Sequence, residues 1–248
     1  MNILILAAGE KQAILNDNGY PYYLTELEGV PLIERLVNQC QVLQQAKLHF
    51  AIPENEIRQW RLDSVISQLA ADAHLIHVKN ATAGAACTAM LAIEHVDNDE
   101  ALLILNMNDM IQVNFADVIN DFQSRKLDAG TIVFPSIHPR YSYVSLDENN
   151  LVMEAAEKNP ISRHATTGFY WFARGRDFVA ATRSMIAKDA HVDGLFYICP
   201  VMNEMILSQA RIGVWFVDSE HYHPLKTIRQ MEHYESVLEA GLHPRNDK

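Results

Sequence analysis

Short runs of consecutive apolar residues alternate along this chain with stretches in which apolar residues recur every three or four positions. The first kind reads as buried strands, the second as amphipathic helices. Strands are expected at residues 2–6, 47–52, 74–78 and 101–105. Helices are expected at 31–43, 53–70 and 83–94 and near 115–124. In the first of these helices Leu32, Ile33, Leu36, Val37 and Cys40 share one face, and Pro31 suits a first helical turn. Beyond residue 128 the apolar runs crowd together. Strands are expected at 131–134, 141–146, 151–155 and 167–172, then helices near 177–186 and 196–207, a strand at 211–217 and a helix at 227–240. The alternation predicts an α/β fold: a mainly parallel, mixed sheet of about seven strands with helices on both faces. No linker or repeat interrupts it, so one domain over 1–248 is expected, with halves 1–127 and 128–248.

Composition narrows this picture. The chain has 248 residues, 49% of them hydrophobic, which supplies a sizeable core. No apolar run is long enough for a membrane-spanning helix. The N-terminus lacks a basic segment and a small-residue cleavage site, so it reads as a first strand rather than a signal peptide. Three cysteines, at 40, 87 and 199, form no paired motif and lie in apolar stretches. They are expected to be reduced core thiols, and the expected location is cytoplasmic. The net charge of −11 disfavours nucleic acid as a partner. An acidic chain that binds phosphates must therefore concentrate local positive charge.

The first strand runs into Ala7-Ala8-Gly9. Gly19-Tyr20-Pro21-Tyr22-Tyr23-Leu24 and Glu28-Gly29-Val30-Pro31-Leu32-Ile33 follow. Further on come Thr82-Ala83-Gly84-Ala85-Ala86, then Asn106-Met107-Asn108-Asp109, then Glu157-Lys158 with Thr166-Thr167-Gly168, and finally Asp193-Gly194-Leu195-Phe196-Tyr197. In this order the segments resemble the sugar-phosphate nucleotidyltransferases, closest to a bacterial subgroup that makes surface-polysaccharide precursors. The resemblance extends from residue 2 to about 217. It implies a Rossmann-like nucleotide-binding half (1–127) and a sugar-phosphate-binding half (128–248), with an NTP and a sugar phosphate or similar phosphorylated alcohol as partners and Mg²⁺ as cofactor.

Nucleotidyl transfer joins a phosphate oxygen to the α-phosphorus of an NTP and expels pyrophosphate, so it depends on positioning and on positive charge. The resemblance places the NTP against Ala8, Gly9, Lys11 and Tyr22 and the loop of Thr82, Gly84 and Ala85. It places the sugar phosphate against Glu157, Lys158, Thr167 and Gly168, and Mg²⁺ on Asp109, with Asn108 beside it. Lys11, Asp109 and Lys158 are the candidate catalytic residues. Several positions depart from the family pattern. The loop arginine is missing, and Lys11 offers a point charge without the planar fork. Tyr22 stands where the family has a lysine. Asn108 stands where it has the metal-binding aspartate in the closest register, with Asp109 one residue on. Lys226 stands near the expected second carboxylate.

Two readings therefore stand. One is an active nucleotidyltransferase. The other is a catalytically impaired relative that binds a nucleotide or sugar nucleotide and regulates. A glycosyl-transferring enzyme would want Asp-x-Asp, which Asn106-Met107-Asn108-Asp109 echoes only faintly. His221 and His223 lack a third ligand at a zinc spacing. Base, sugar and oligomeric state, a homo-oligomer included, stay open.

Overall fold

The computed structural model describes residues 1–7 and 19–239. Ala8, Gly9 and Lys11 of the glycine-containing loop lie outside them. The first half builds β1 (Asn2–Leu6), the short hairpin β2 (Glu26–Leu27) and β3 (Val30–Pro31), α1 (Leu32–Gln41), β4 (Lys47–Pro53), α2 (Glu54–Trp60), α3 (Leu62–Leu69), β5 (His74–Val78), α4 (Ala85–Met90), α5 (Ile93–Val96), β6 (Leu102–Asn106), β7 (Asp109–Ile111) and α6 (Phe115–Ser124). The second half adds β8 (Ala129–Pro135), β9 (Ser142–Leu146), β10 (Val152–Glu157), β11 (His164–Phe172), α7 (Gly175–Ala187), α8 (Val201–Leu207), β12 (Ile212–Phe216), β13 (Tyr222–Pro224) and α9 (Ile228–Glu239).

Nine strands form one sheet in the order β10-β9-β11-β6-β1-β4-β5, with β8 pairing β11 and β12 pairing β8. The strands β5, β4, β1 and β6 run parallel, and β11 joins β6 antiparallel, so the sheet is continuous across both halves. Alternate residues of each central strand feed two separate cores. Ile3, Ile5, Leu103 and Leu105 face a core shared with α1, α6 and α9. Leu4, Leu6, Leu102 and Ile104 face one shared with α4, α7 and α8. Helices thus cover both faces, as expected for an open α/β sheet. Each fully buried Leu or Ile contributes about 1.5–3 kcal/mol to folding. The apolar stripe of α1 is buried as its spacing predicts, and Asn114 caps α6 by accepting from the Ala116 N–H at 2.9 Å.

Three expected helices are corrected. The stretch 53–70 is broken at Arg61, whose φ of 54° is left-handed and separates α2 from α3. The stretch 83–94 divides into α4 and α5, and 196–207 begins its helix only after Pro200. A two-stranded ribbon of β7 and β13 was not expected at all. It returns the chain's end to the tip of β6.

At the opposite, amino-terminal end of β4 the imidazole of His49 is 1% exposed and hydrogen-bonds Asn2 Oδ1 at 3.1 Å. The rings of His74 and His95 stack on it, with centroids 5.2 and 4.9 Å away. Burial, then His95, His74 and Lys47, lower its pKa from 6.5 to about 4, while Glu100 opposes them. A group with a depressed folded pKa stabilises the fold above its unfolded pKa and loses that contribution as pH falls toward the folded value. The window here is pH 6.5 to 4, and the contribution is about 1–3 kcal/mol. Urea unfolding at pH 7 and pH 4.5 should show a larger loss in the wild type than in His49→Gln. Equal losses would remove His49 as the proton sink.

Candidate functional site

The parallel strands β1 and β6 end at Leu6 and Asn106, side by side in register. Ligands of open α/β sheets bind beyond such carboxyl ends. A cavity of about 390 Å³ opens there, lined from both halves of the chain. Its first wall is Leu6, Ala7, Tyr22, Ala85, Asn108 and Asp109. Its second is Glu157, Lys158, Gly168, Tyr197 and Lys226.

Most of the expected site residues that the structure describes meet in this one cavity: Tyr22, Ala85, Asn108, Asp109, Glu157, Lys158 and Gly168. Two side chains do not. Thr82 turns its hydroxyl to Gly84 O at 3.1 Å and to Thr88 Oγ1 at 2.6 Å, which ties the loop to α4. Thr167 is fully buried and donates to Ile132 O at 3.3 Å. The period of two along β11 explains this: Thr166, Gly168 and Tyr170 line the cavity, and Thr167 points the other way. Gly84, also expected at the site, is not in the lining either. Its φ is 110°, and an added Cβ would lie 2.4 Å from Phe196 O and 2.7 Å from Phe196 N. Hydrogen bonds from Phe196 N to Ala83 O (2.7 Å) and from Ala86 N to Phe196 O (3.0 Å) fasten this loop to the segment that carries Tyr197.

Glu157 ends β10, is buried and accepts a hydrogen bond from Ser142 Oγ. Burial pushes its pKa up, while Ser142, Lys158 and Lys226 pull it back. Lys158 has a φ of 56°, as a turn residue after β10. Its backbone N–H is held by Tyr141 O at 3.0 Å. Its ammonium donates to Tyr197 Oη at 2.9 Å and lies 3.9 Å from Asp193. The Tyr197 bond is the main cause that raises the Lys158 pKa.

Asp109 opens β7 and is 5% exposed. Its Oδ2 accepts from Asn106 Nδ2 at 2.8 Å and its Oδ1 from Tyr222 Oη at 2.9 Å. Tyr222 belongs to β13, so the carboxylate joins the two strands of the ribbon to the end of β6. Burial and then Asp109 raise the Tyr222 pKa well above normal, which keeps the phenol a donor. Three cavity residues that the sequence did not single out also carry charge or polarity: Glu56, which accepts from the Tyr23 phenol, Arg140 and Ser142. Arg140 and Ser142 stand two residues apart where β9 begins and Glu56 lies on α2, and no motif marks either place.

The donor set does not fit the implied Mg²⁺. Such an ion wants at least one accessible carboxylate beside its waters and phosphates. Among the described residues of the cavity, Asp109, Glu157 and Glu56 are each buried; Asp109 accepts hydrogen bonds from the protein through both oxygens and the two glutamates through one oxygen each. A group with metal-ligand spacing, Asp218, Glu220 and His221, lies outside the cavity lining. His223 is buried against the ring of Tyr234.

Among the described residues no helix is long and apolar enough to cross a membrane. No curated protein is significantly similar to the chain in sequence. Solved structures share its fold. A nucleoside-diphosphate-sugar pyrophosphorylase from Vibrio cholerae RC9 superposes with a TM-score of 0.77 at 21% identity, over 95% of this chain and 100% of that one. A UDP-glucose pyrophosphorylase complexed with UDP-glucose gives 0.72 at 11% identity, over 97% and 98%. CMP:2-keto-3-deoxy-manno-octonic acid synthetase complexed with CTP gives 0.66 at 14%, over 97% and 98%. The family model for nucleotidyl transferases matches residues 27–206, which hold both cavity walls apart from Leu6, Ala7, Pro21–Tyr23, Tyr222 and Lys226, and on that match the chain belongs to the nucleotidyl transferase family.

Proposed function

We propose that the chain transfers a nucleotidyl group from an NTP to a sugar phosphate or a similar phosphorylated alcohol, yielding precursors for surface polysaccharide. The observation that carries this reading is the pair Glu157 and Lys158 at the end of β10. A buried acceptor and a cation there open into the same cavity as the carboxyl ends of β1 and β6. Glu157 accepts from sugar hydroxyls, and the Lys158 ammonium holds the sugar phosphate with a charge-assisted bond. That phosphate's oxygen attacks the α-phosphorus of the NTP in line, and pyrophosphate leaves. Lys11 is assigned to the triphosphate.

The test is pyrophosphate release from a matrix of NTPs and sugar 1-phosphates, with the nucleotide-sugar product identified by mass. At least one pair should turn over in the wild type, and Lys158→Met should lower kcat/KM by about 10- to 100-fold. If no NTP releases pyrophosphate and no nucleotide or nucleotide sugar binds in calorimetry, the proposal fails. The protein caps on all three cavity carboxylates favour a second reading, a relative that binds sugar nucleotides without transferring. Binding of a sugar nucleotide with no pyrophosphate release would select it.

A further inference from the structure

The charges around the cavity follow one rule. Among the described residues of the cavity, each carboxylate accepts at least one hydrogen bond from the protein, Asp109 through both oxygens, and each cation rests on a neutral group or on no partner closer than 3.9 Å. Arg140 donates to the Tyr141 phenol and lies over its ring. Lys158 donates to the Tyr197 phenol, and its one acidic neighbour, Asp193, is exposed and 3.9 Å away. Lys226 is exposed, and its ammonium has no hydrogen bond or ion pair with any described residue. Its position is nonetheless fixed. Pro224 pairs with Asp109 across the ribbon, and Leu225 N donates to Asn108 O at 2.7 Å, so Lys226 emerges directly beside Asn108. Its field reaches Glu157 on the same wall.

A cavity built this way suits an anion and offers little to a cation. The Asp109 carboxylate is hemmed in further: a Cβ on Gly168 would stand 2.8 Å from its Oδ2 and 2.6 Å from Asn106 Nδ2. An octahedral ion with ligands at about 2.0–2.1 Å would have to break the Asn106 or Tyr222 bond or share its oxygen. An ammonium needs no such rearrangement, and as a compact point charge it answers a phosphate directly.

We infer that Lys226, together with Lys158 and Arg140, supplies the positive charge that faces the ligand's phosphates, so that this chain binds a nucleoside diphosphate group, free or esterified to a sugar, without a divalent ion. The inference rests on the ligand class proposed above.

Calorimetric titration tests it with inorganic pyrophosphate, the NTPs and UDP-glucose, each in EDTA and in Mg²⁺, against wild type, Lys226→Met and Lys226→Arg. Lys226 is exposed, so neither substitution threatens folding, and circular dichroism checks this. Compounds that bind should do so in EDTA within about threefold of their affinity in Mg²⁺. Lys226→Met should weaken them by about 10- to 100-fold, and Lys226→Arg should restore most of the loss. A wild-type affinity that rises tenfold or more on adding Mg²⁺, by the same measure, overturns the inference and leaves the proposed function standing. So does unchanged binding by Lys226→Met. Absence of binding by every compound in both buffers overturns the proposed function and this inference with it.

Discussion

Replacing Gly84 with alanine should cost about 3 kcal/mol or more of stability and loosen one whole wall of the cavity. Two independent penalties act at this position. A φ of 110° is strained for any residue with a Cβ, at about 1–3 kcal/mol. The added carbon would also meet backbone, 2.4 Å from Phe196 O, where no side chain can turn aside. Relief requires the 83–86 loop and the Phe196 segment to part, which breaks the hydrogen bonds between them. Tyr197, Ile198 and Cys199 ride on that segment and line the cavity. Urea unfolding should show the stability loss, and ligand affinity should fall even in the fraction that stays folded. An alanine variant with wild-type stability would mean that the loop and the Phe196 segment do not pack as described.

Asp109→Ala should be the next most damaging change, at about 2–4 kcal/mol, because it strands a buried donor, Tyr222 Oη, and a half-buried one, Asn106 Nδ2. Asp109→Asn keeps the shape and one good acceptor, so it should cost about half as much. A role as a metal ligand predicts something different. In that case both variants would lose Mg²⁺-dependent binding while stability changed little. Measuring unfolding free energy and the Mg²⁺ response on the same preparations separates a post that joins β6, β7 and β13 from a ligand. Stability unchanged in Asp109→Ala would refute the post.

Much of the fold was legible in the sequence because buried parallel strands are continuous apolar runs. The strands 2–6 and 74–78 were placed to the residue, and β4 and β6 to within one at either end. The break at Arg61 was hidden, since no glycine or proline marks it and the apolar period runs on across it. The ribbon of β7 and β13 was hidden for a different reason. Its strands have three residues each and include Asp109, His223 and Pro224, so neither alternation nor propensity announces them. The site divides along similar lines. Glu157, Lys158, Asp109 and Gly168, expected together from the order of their segments, line one cavity. Arg140 with Ser142, and Glu56 far from them, lie outside the recognisable segments, and only the fold brings them to the cavity. Thr167 was misjudged by one step of a period-two strand. Lys226 was visible as a departure from the expected pattern, but its meaning depends on Leu225 N and Asn108 O, a contact between residues far apart along the chain.

The β7/β13 ribbon also bears on how the molecule is made. All nine strands of the main sheet are complete by Phe216, yet Tyr222 and Leu225 come later and reach back to Asp109 and Asn108. The Tyr222–Asp109 bond spans 113 positions, and contacts of such separation form late because the loop they close is costly in entropy. A nascent chain can therefore assemble its sheet while the cavity is still missing its last side. The cavity is then complete only once the chain has passed Lys226.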